Sequence, residues 1–348
     1  MVNLGFLQDL QTLIFKIITL IKILISCILF KYIKNIVLTI KKSLKKLTKN
    51  VFITGGLGQD GKILIRLLKK KKINLNIFSK EKKFTKKDGV RFVKSNLLNK
   101  KKLDKIFKKT KPDIVLHLAS NNPSYGEKSH NLFFKKNYEA TKNIFYSTFD
   151  SNAKAKFIFC SSSQIFDKKN GSVNEKSKIK ITTDYTKFRI DSDNLMLKYK
   201  QKNKIKYTNA ILFNHDSKFR NKKFIIPKII KAILKKDNVF LNNIIKKNIF
   251  ADFSHAEDIC SALYKLMFST TNLDKIILSS NIKTSLNRII YDVINKNNLK
   301  LNINFKKYKI NKSLVGNNNL AKKILKWRPK KNIYMAANEI YKFNLLRL

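Results

Sequence analysis

The stretch VFITGGLGQDGKILIRLL, residues 51–68, decides the fold. Residues 51–54 are apolar or β-branched and predict a short buried strand, while the apolar spacing of residues 61–68 predicts a helix. Gly55, Gly58 and Gly61 lie between them with the spacing G-x-x-G-x-x-G. In such a turn the first glycine permits a tight bend, the second lets backbone approach a pyrophosphate, and the third allows close packing. A glycine triplet alone is weak evidence, because any tight strand-to-helix turn could use one.

The segments downstream of this turn favour a parallel sheet. Short apolar runs predict strands at residues 73–78, 90–93, 113–118 and 156–159, and apolar periodicity predicts helices around residues 101–109 and 137–149. Repeated βα units with short connections are typical of a Rossmann-like, doubly wound parallel sheet in an α/β protein. Such a sheet binds ligands outside the carboxyl ends of its strands. The glycine turn lies at one of these ends, so phosphate groups are expected at the N-terminus of the following helix.

The chain of 348 residues is long enough for one large α/β unit and a smaller lobe. We predict a helical N-terminal segment at residues 1–48, a dinucleotide-binding domain at residues 49–210 and a smaller substrate-binding lobe at residues 211–348. Residues 252–268 are expected to return to the dinucleotide-binding domain. The three cysteines have neither metal nor redox spacing, which favours a reducing, cytoplasmic location. They are Cys27, Cys160 and Cys260.

The formal net charge of +53 indicates either an anionic binding partner or a general bias of the sequence toward lysine. The lysines are spread along the whole chain among abundant asparagine and isoleucine, so the sequence predicts no single basic patch. No zinc-finger or RRM-type aromatic motif is present, and specific nucleic-acid binding is not expected. Weak, non-specific binding at low salt is expected from charge alone.

The N-terminal segment has the composition of a membrane-associated helix. Residues 13–30 form an apolar run of nearly bilayer-spanning length, interrupted by Lys16 and Lys22. Polar and basic residues recur every three or four positions, which also fits a helix lying in the interface with its lysines toward anionic headgroups. We therefore expect residues 8–46 to attach the protein to the cytoplasmic face of a membrane, by spanning it or by lying on it. A helix that packs on a partner subunit and a non-native upstream extension remain alternatives.

Several short motifs together identify a family. The segment FIFCSSSQIF at residues 157–166 is followed by DYTKFR at residues 184–189. The chain here resembles the extended short-chain dehydrogenase/reductases, the NAD-dependent epimerase/dehydratase family, in which a Ser or Thr after the fifth strand joins a Tyr-x-x-x-Lys pair. The resemblance extends from about residue 51 to about residue 342, and residues 1–48 lie outside it.

Within that family the chain is most similar to the GDP-mannose 4,6-dehydratases. The matching segments are TGGLGQDG in the glycine turn, ILFNHDS at residues 211–217, DFSHAED at residues 252–258 and VGNNNLAKKILKWRP at residues 315–329. The resemblance implies conversion of GDP-mannose to GDP-4-keto-6-deoxymannose with NADP, in the synthesis of surface-polysaccharide precursors. It also implies a homo-oligomer, for which no particular residue argues.

Tyr185, Arg189 and Ser162 match the family's catalytic positions, with one departure. By resemblance, Tyr185 removes a proton from a sugar hydroxyl while hydride leaves the same carbon, and Ser162 hydrogen-bonds that oxygen. A phenol ordinarily titrates near pH 10, so it needs a nearby cation to act near neutrality. Positions i and i+4 share a helix face, so residue 189 must supply that cation. Arg189 stands where the family has Lys, and its planar fork replaces a point charge.

Gln164 is the second departure from the family. The dehydratases carry at this position a Glu that removes the proton beside the keto group so that water is eliminated. Gln164 has no titratable proton and cannot be a general base. The oxidation half of the reaction survives this change, whereas the elimination half loses its base.

The end of the second predicted strand bears on the choice of cofactor. An acidic residue there would bind the ribose 2′-hydroxyl of NAD, whereas Ser79 and Lys80 suit the 2′-phosphate of NADP. NADP is therefore expected, and nearby Glu81 leaves NAD open. Asn96 stands where the family has an acidic residue near the adenine, and Asn can still accept or donate there. The remaining cofactor contacts implied by the resemblance are Gly55, Leu57, Gly58, Gln59, Asp60, Gly61, Leu118 and Ala119.

The resemblance also marks positions for the nucleotide sugar. Asn214 and the basic residues Lys222 and Lys228 are expected to bind it, with the lysines neutralising a diphosphate. An arginine usual just before the DFSHAED segment is Ala251 here, which weakens that clamp. The histidines do not pair at ligand spacing, so no metal site is predicted. They are His117, His130, His215 and His255.

Three functions of different classes follow from these residues. The first is a nucleotide-sugar dehydratase of the GDP-mannose 4,6 type. The second is a C4 reductase or epimerase, which needs Tyr185 and a nicotinamide but no elimination base. The third is a nucleotide-sugar-binding protein with impaired catalysis. The fold does not decide among them, because function depends on the site.

Overall fold

The computed structural model describes residues 15, 22–26, 28–36, 48–79, 86–87, 89–122, 131–167, 171–305 and 313–347. The chain divides into two compact units, Met1–Lys49 and Asn50–Leu348. In the first unit, residues 22–26 and 28–36 are helical and carry exposed apolar side chains. Within the described residues, no helix is both long enough and apolar enough to cross a bilayer. The rest of the predicted membrane segment, residues 8–46, lies outside the described residues.

The strands are numbered in chain order. They are β1 (Lys49–Thr54), β2 (Ile73–Ser79), β3 (Lys86–Lys87), β4 (Val90–Lys94), β5 (Ile114–His117), β6 (Lys156–Ser162), β7 (Ser172–Val173), β8 (Lys206–Leu212), β9 (Asn214–Asp216), β10 (Phe250–His255), β11 (Lys275–Leu278), β12 (Lys283–Ser285) and β13 (Val315–Gly316).

The helices of the second unit are numbered in the same way. They are α1 (Gln59–Leu68), α2 (Lys100–Thr110), α3 (Asn131–Ser151), α4 (Asp184–Asn203), α5 (Ile225–Leu234), α6 (Asn238–Lys247), α7 (Ala256–Phe268), α8 (Leu286–Lys296), α9 (Asn319–Leu325) and α10 (Ile333–Leu345).

The main sheet confirms the predicted Rossmann-like, doubly wound fold. Among the described residues it has eight strands in the order β11-β8-β6-β5-β1-β2-β4-β3. Seven of them are parallel, and only β3 runs antiparallel to its neighbour β4. The order reverses around β1, with β5 on one side and β2 on the other, so helices return to both faces. Such strands are buried on both faces, which explains their continuous apolar sequences.

Two apolar layers cover the sheet. On one face, α1 and α7 contribute Ile63, Leu64 and Leu263, all at most 2% exposed, to a cluster with strand residues. On the other face, α2, α3 and α4 contribute an aromatic-rich cluster that includes Phe107 and Phe145. Burying this apolar area on both faces is the main favourable contribution to folding. The carboxyl ends of the strands are thereby held rigidly as a platform.

A second, smaller core forms the lobe. It is built from α5, α6, α8 and α10, beside the three-stranded sheet β12-β10-β9. Asp252 of β10 ties neighbouring loops together, because its carboxylate accepts backbone N–H groups of Ser280, Asn281 and Gly316. Burial raises the pKa of Asp252 to about 6, although these hydrogen bonds oppose the rise. The division of the chain at residue 210 stays a prediction.

The observed helix α3 begins six residues before the predicted one. It starts at Asn131 rather than at residue 137. Phe134 in the added turns is 5% exposed and packs edge-on against Tyr185, with ring centroids 5.7 Å apart. This contact between distant parts of the chain stabilises a stretch whose own sequence lacks a clear helix start signal.

Candidate functional site

The glycine turn after β1 is tightly packed. Gly55 has a φ of +69°, and a Cβ on it would lie 2.9 Å from the backbone nitrogen of Ala119. A Cβ on Gly61 would lie 2.3 Å from Cα of Gly56. The first glycine thus permits the bend, and the third lets α1 pack on the turn itself. By contrast, a Cβ on Gly58 would meet only the Gly55 carbonyl oxygen, at 3.2 Å.

A cavity of about 360 Å³ lies beside this turn. The predicted cofactor-binding residues that line it are Gly55, Leu57, Gly58, Ser79, Asn96 and Ala119. Ser95, directly after β4, also lines it, and its hydroxyl oxygen is buried without a hydrogen-bond partner among the described residues. A hydroxyl oriented toward a ligand explains such a group. Ser95 was not predicted, although it follows β4 directly and lies close to the position at which Ser79 ends β2.

The features of this cavity fit a dinucleotide. The N-cap residue of α1, Gly58, has no side chain to satisfy the free N–H groups of the first turn. Those groups and the helix dipole favour an anion, and the open Gly58 lets one approach. NAD or NADP would therefore be held by the glycine turn, Ser79, Ser95 and Asn96. Lys80, which the sequence assigns to the 2′-phosphate, lies outside the described residues.

The first turn of α1 carries one member of a charged pair that was not predicted from the sequence. The imidazole of His215 in β9 contacts both carboxylate oxygens of Asp60 at 3.1 Å through Nε2. Its Nδ1 lies 2.6 Å from the carbonyl oxygen of Phe213, so both ring nitrogens act as donors. Gln59 joins the network by donating to the His215 carbonyl oxygen at 3.1 Å. The residues predicted from the glycine turn are thus bonded to residues more than 150 positions later.

For both members of this pair, charges and hydrogen bonds together shift the pKa more than burial does. Burial raises the pKa of Asp60, but the charge and hydrogen bond of His215, with help from Arg220, lower it to about 2. Burial lowers the pKa of His215, but Asp60 raises it above its ordinary value. The low pKa makes the Asp60 carboxylate a weak base, and the raised pKa of His215 favours the imidazolium that pairs with it.

A second cavity, of about 510 Å³, adjoins the carboxyl ends of β5, β6 and β8. It brings together Ser162, Gln164, Tyr185, Arg189, Asn214, Leu118 and Asp60. These are all four predicted catalytic residues, one predicted substrate residue and two predicted cofactor residues. The loop after β5 borders both cavities, through Leu118 and Asn122 in this one and Ala119 in the other. The two cavities therefore share a wall.

The start of α4 positions Tyr185 at this cavity. Thr183 caps the helix by accepting from the backbone N–H of Thr186, whose hydroxyl accepts from the N–H of Thr183. This capping box fixes the first helical turn. Tyr185 is 5% exposed, with its ring against Phe134 and its hydroxyl toward Asn122 at 3.4 Å.

Arg189 lies beneath Tyr185, as the i to i+4 spacing predicts. Its guanidinium carbon lies 5.1 Å from the centre of the Tyr185 ring, and the side chain stacks similarly on Phe188 at 4.9 Å. One terminal nitrogen donates to the carbonyl oxygen of Cys160, and the other donates to Oδ1 of Asn122 at 3.1 Å. A lysine has no planar fork and could not make this pair of contacts in the same way. Arginine here is a cation that is 4% exposed and held in place by backbone and aromatic groups.

Asn122 connects this arginine to the tyrosine and was not predicted. Its single Oδ1 accepts both from Tyr185 and from Arg189. The loop that carries it is attached to α3, because Asn137 accepts the N–H of Asn121 at 3.1 Å and donates to its carbonyl oxygen. Tyr185, Arg189 and Asn122 thus form one hydrogen-bonded unit at the cavity.

Besides Arg189, the arginine that lines this cavity is Arg220, which was not predicted as a substrate residue. Arg220 borders the cavity, pairs with Asp216 at 3.3 Å and stacks on Phe224 at 3.6 Å from the ring centre. Lys222 and Lys228 do not line it, so their part in substrate binding stays a prediction. The motif at residues 211–217 predicted that this part of the chain binds substrate. Whether Arg220 or a nearby lysine lines the cavity depends on the conformation of the loop, which the sequence does not show.

Beneath both cavities, His117 links three elements. Its Nδ1 lies 2.7 Å from the Thr54 hydroxyl, and its Nε2 lies 2.9 Å from the Thr141 hydroxyl. Burial, followed by the positive charge of Arg189, lowers the pKa of His117 to about 3. The ring is therefore neutral, with one nitrogen as donor and the other as acceptor. It supports the glycine turn, since the Thr54 hydroxyl also accepts the Ala119 N–H at 3.1 Å.

A doubly wound sheet with a glycine turn at a helix N-terminus, and a tyrosine-cation pair in the adjoining cavity, are typical of enzymes that bind a dinucleotide. The NAD dependent epimerase/dehydratase family matches residues 51–277 of the sequence. The chain belongs to this family, which confirms the resemblance found in its motifs.

Three characterised relatives are similar in sequence. UDP-glucose 4-epimerase of Mycoplasma genitalium is 27% identical over 67% of this chain and 78% of its own length. GDP-6-deoxy-D-talose 4-dehydrogenase of Aggregatibacter actinomycetemcomitans is 26% identical over 70% of this chain and 77% of its own. dTDP-D-glucose 4,6-dehydratase of Dictyostelium discoideum is 25% identical over 62% of this chain and 54% of its own. The relatives thus include an epimerase, a dehydrogenase and a dehydratase of nucleotide sugars.

Solved structures share the fold. RMD from Pseudomonas aeruginosa, complexed with NADPH, superposes with a TM-score of 0.70 at 17% identity, over 87% of this chain and 99% of its own. UDP-glucuronic acid 4-epimerase from Bacillus cereus, in complex with NAD, gives 0.71 at 17% identity, over 85% of this chain and 99% of its own. The protein is an enzyme of the nucleotide-sugar epimerase/dehydratase family.

Proposed function

We propose that the protein transfers hydride at C4 of a nucleotide sugar, as an NADP-dependent C4 reductase or dehydrogenase, without eliminating water. One observation carries this proposal. Among the described residues that line the 510 Å³ cavity, Asp60 is the only acid, and His215 holds it as an ion-paired carboxylate. With Gln164 at the family's glutamate position, this cavity wall offers no carboxylate that could abstract the proton beside a keto group.

The remaining groups suffice for hydride transfer. The bound nicotinamide dinucleotide supplies the hydride acceptor or donor. Tyr185 takes the proton of the C4 hydroxyl during oxidation and returns it to the C4 oxygen during reduction. Arg189 and Asn122 orient the phenol, and Ser162 hydrogen-bonds the same sugar oxygen. Burial of Tyr185 and Arg189 excludes water from the proton transfer.

The side chains at the end of β2 and in the 510 Å³ cavity favour a particular cofactor and nucleotide. NADP is favoured because Ser79, not a carboxylate, ends β2, and Lys80 follows it. Arg220 is suited to one phosphate of the sugar nucleotide, since a planar guanidinium recognises phosphate oxygens in pairs. Asn214 lines the same cavity. A GDP-linked sugar is expected from the similarity to GDP-mannose 4,6-dehydratases in the segments quoted above and from the GDP-6-deoxy-talose relative.

GDP-mannose 4,6-dehydration is the second candidate. It is supported by the same segments and by the relative named as a dTDP-glucose 4,6-dehydratase. C4 epimerisation is a variant of the first candidate, supported by the UDP-glucose 4-epimerase relative. Epimerisation uses the same tyrosine and dinucleotide in both directions, so substrate tests separate it from simple reduction.

Two incubations distinguish these functions. We expect purified protein to oxidise NADPH when given GDP-4-keto-6-deoxymannose, and to form no 4-keto-6-deoxy sugar from GDP-mannose and NADP. Formation of that sugar from GDP-mannose would overturn the proposal in favour of dehydration. Conversion of UDP-glucose to its C4 epimer, without net oxidation of cofactor, would identify an epimerase.

Variants test the assigned residues. Tyr185→Phe is expected to lower kcat by about a hundredfold to ten-thousandfold, because it removes the proton-transfer group. Tyr291→Phe, at an exposed tyrosine of α8, is the matched control and is expected to be fully active. Gln164→Glu is expected to introduce dehydration of GDP-mannose. Equal activity of Tyr185→Phe and the control would contradict the assigned chemistry.

We also propose that the protein is a homo-oligomer attached to the cytoplasmic face of a membrane by residues 8–46. Exposed apolar side chains in the helical residues 22–26 and 28–36 support attachment, among them Leu24, Ile28 and Phe30. Serine at these three positions should release the protein from membrane fractions. Serine at the exposed apolar positions Val239 and Ile282 should not. Equal sedimentation of both variants would contradict attachment through this segment.

A further inference from the structure

Lysine side chains gather at the edge of the sheet where its parallel strands begin. The register of the strands shows this alignment. Val51 pairs with Ile114, Ile114 with Lys156, and Lys156 with Lys206. The beginnings of β1, β5, β6 and β8 therefore form one row across four neighbouring strands.

Exposed lysines lie just outside this row. Lys111 precedes Ile114 by three residues, Lys154 precedes Lys156 by two, and Lys204 precedes Lys206 by two. Lys72 directly precedes β2, the neighbour of β1 on the other side. Because neighbouring strands lie about 4.8 Å apart, lysines before β8, β6, β5 and β2 extend over roughly 20 Å.

The helices that end at this edge add more lysines, since each runs antiparallel to the strands that it connects. We call the whole set the basic edge. Its exposed members are Lys69, Lys70, Lys71, Lys72, Lys108, Lys109, Lys111, Lys154, Lys202, Lys204 and Lys206. A lysine at a helix C-terminus is favoured by the helix dipole, which explains individual members but not the row before the strands.

The carboxylates near the row of lysines before the strands have other partners. Asp113 accepts the backbone N–H of Asn50 at 2.7 Å, and Asp274 pairs with Lys200 at 2.7 Å. Among the described residues, Lys111, Lys154 and Lys204 form no ion pair. Their charges are therefore free to attract an anionic surface.

At the opposite edge, the basic residues of the described connections lie after β6 and β8. Residues 55–58, 95–99, 118–122, 163–167 and 279–282 contain neither Lys nor Arg, whereas residues 171–183 and 213–224 carry Lys176, Lys178, Lys180, Lys218, Arg220, Lys222 and Lys223. Residues 80–85, 123–130 and 168–170 lie outside the described part of the chain. Both cavities open at this opposite edge, so a partner bound to the basic edge leaves the site accessible.

An anionic lipid surface fits the basic edge better than a nucleic acid does. The chain enters the sheet at this edge, because β1 begins at Lys49. The segment before it combines exposed lysines with exposed apolar side chains, such as Lys31 beside Phe30, which is 71% exposed. Apolar side chains insert between lipids while lysines remain at the headgroups, whereas a phosphate backbone offers nothing for them to insert into.

We propose that the basic edge docks on an anionic phospholipid bilayer, so that the α/β unit contacts the membrane itself and its cavities face the aqueous side. This contact is separate from the proposed attachment by residues 8–46 and from the proposed reaction. Each lysine near such a surface strengthens binding by about fivefold.

Lysine acetylation of the full-length protein tests the contact without an activity assay. The protein is bound to vesicles of equimolar phosphatidylcholine and phosphatidylglycerol, and acetylation rates are read by mass spectrometry. We expect acetylation of Lys72, Lys111, Lys154 and Lys204 to slow by about fivefold or more relative to free protein. Three exposed lysines in or directly after α5 and α6 serve as internal controls and should be acetylated at unchanged rates. They are Lys231, Lys235 and Lys246.

A matched pair of variants provides the second measurement. Glutamine at Lys72, Lys111, Lys154 and Lys204 should weaken partitioning onto these vesicles by a few hundredfold at low lipid concentration, and glutamine at four lysines of the lobe should weaken it far less. The lobe positions are Lys231, Lys235, Lys236 and Lys246. Equal acetylation of edge and lobe lysines on vesicles would overturn the proposal. Protection of the edge lysines by single-stranded RNA but not by vesicles would also overturn it, in favour of nucleic-acid binding.

Discussion

Replacement of His215 by glutamine is expected to destabilise the protein by about 2 kcal/mol near pH 6. The pKa of Asp60 falls from 3.8 to about 2 in the folded protein, against the effect of burial. One pKa unit corresponds to about 1.4 kcal/mol, so the interactions that hold Asp60 ionised contribute about 2.5 kcal/mol. His215 makes the largest of these favourable contributions. The side chain of Asp60 is 17% exposed, so water cannot replace the lost imidazolium.

The pH range of this effect follows from the direction of each pKa change. The lowered pKa of Asp60 gives stability that is fully present above about pH 4 and is lost as the pH falls toward 2. The raised pKa of His215 gives stability that is present below about pH 6.5 and is lost as the pH rises through its folded value. The pair therefore contributes most between about pH 4 and 6.5.

Urea unfolding of four proteins measures the pairing energy. They are the wild type, His215→Gln, Asp60→Asn and the double variant, compared near pH 6. We expect the double variant to be more stable than the sum of the single effects by about 2 kcal/mol, since removing both charges leaves no unpaired carboxylate. Titration with NADPH should show weaker binding to His215→Gln and recovery in the double variant, because an unpaired carboxylate in the first turn of α1 repels phosphate. Additive unfolding energies would refute this account of the pair.

Three further outcomes are expected. Between about pH 7 and pH 5 the wild type should lose about 2 kcal/mol more stability than His117→Asn. The reason is that the folded pKa of about 3 keeps His117 neutral, whereas the unfolded state gains a proton below about pH 6.5. Identical pH slopes of the two unfolding free energies in urea would contradict this. Asp252→Asn should cost about 1–3 kcal/mol in the same assay, because an amide N–H₂ group would face backbone N–H donors, and unchanged stability would argue against it. Gly61→Ala should fold poorly because its Cβ would overlap Gly56, whereas Gly58→Ala should fold and bind NADPH less tightly. If the two variants had the same effect on folding stability and on NADPH affinity, the assigned roles of the two glycines would be wrong.

Local sequence was sufficient to predict five of the eight described strands of the main sheet and much of the site, whereas β3, β8 and β11 were not predicted. The apolar runs and glycine spacing of residues 51–68 predicted strand, turn and helix, because each signal acts within a few residues. The i to i+4 rule likewise placed Arg189 beneath Tyr185. The predicted helices around residues 101–109 and 137–149 differ from the observed ones only at their ends, where capping and tertiary contacts decide.

Contacts between distant parts of the chain could not be predicted in this way. The pairing of Asp60 with His215 joins residues 155 positions apart, and the double acceptor role of Asn122 depends on where the β5 loop meets α4. Lysines that looked evenly distributed along the sequence are brought together by the parallel register of the strands. The spacing of residues within a motif does not predict which loop packs against that motif in the folded protein.

The wall that the two cavities share has a kinetic consequence. The segment of residues 118–122 borders both, and through Asn122 it also contacts Tyr185 and Arg189. A dinucleotide that orders this segment would complete one side of the sugar site before the sugar arrives. Turnover would then follow a compulsory order, with cofactor first on and last off. Product-inhibition patterns would show oxidised cofactor competing with reduced cofactor, but not with the sugar.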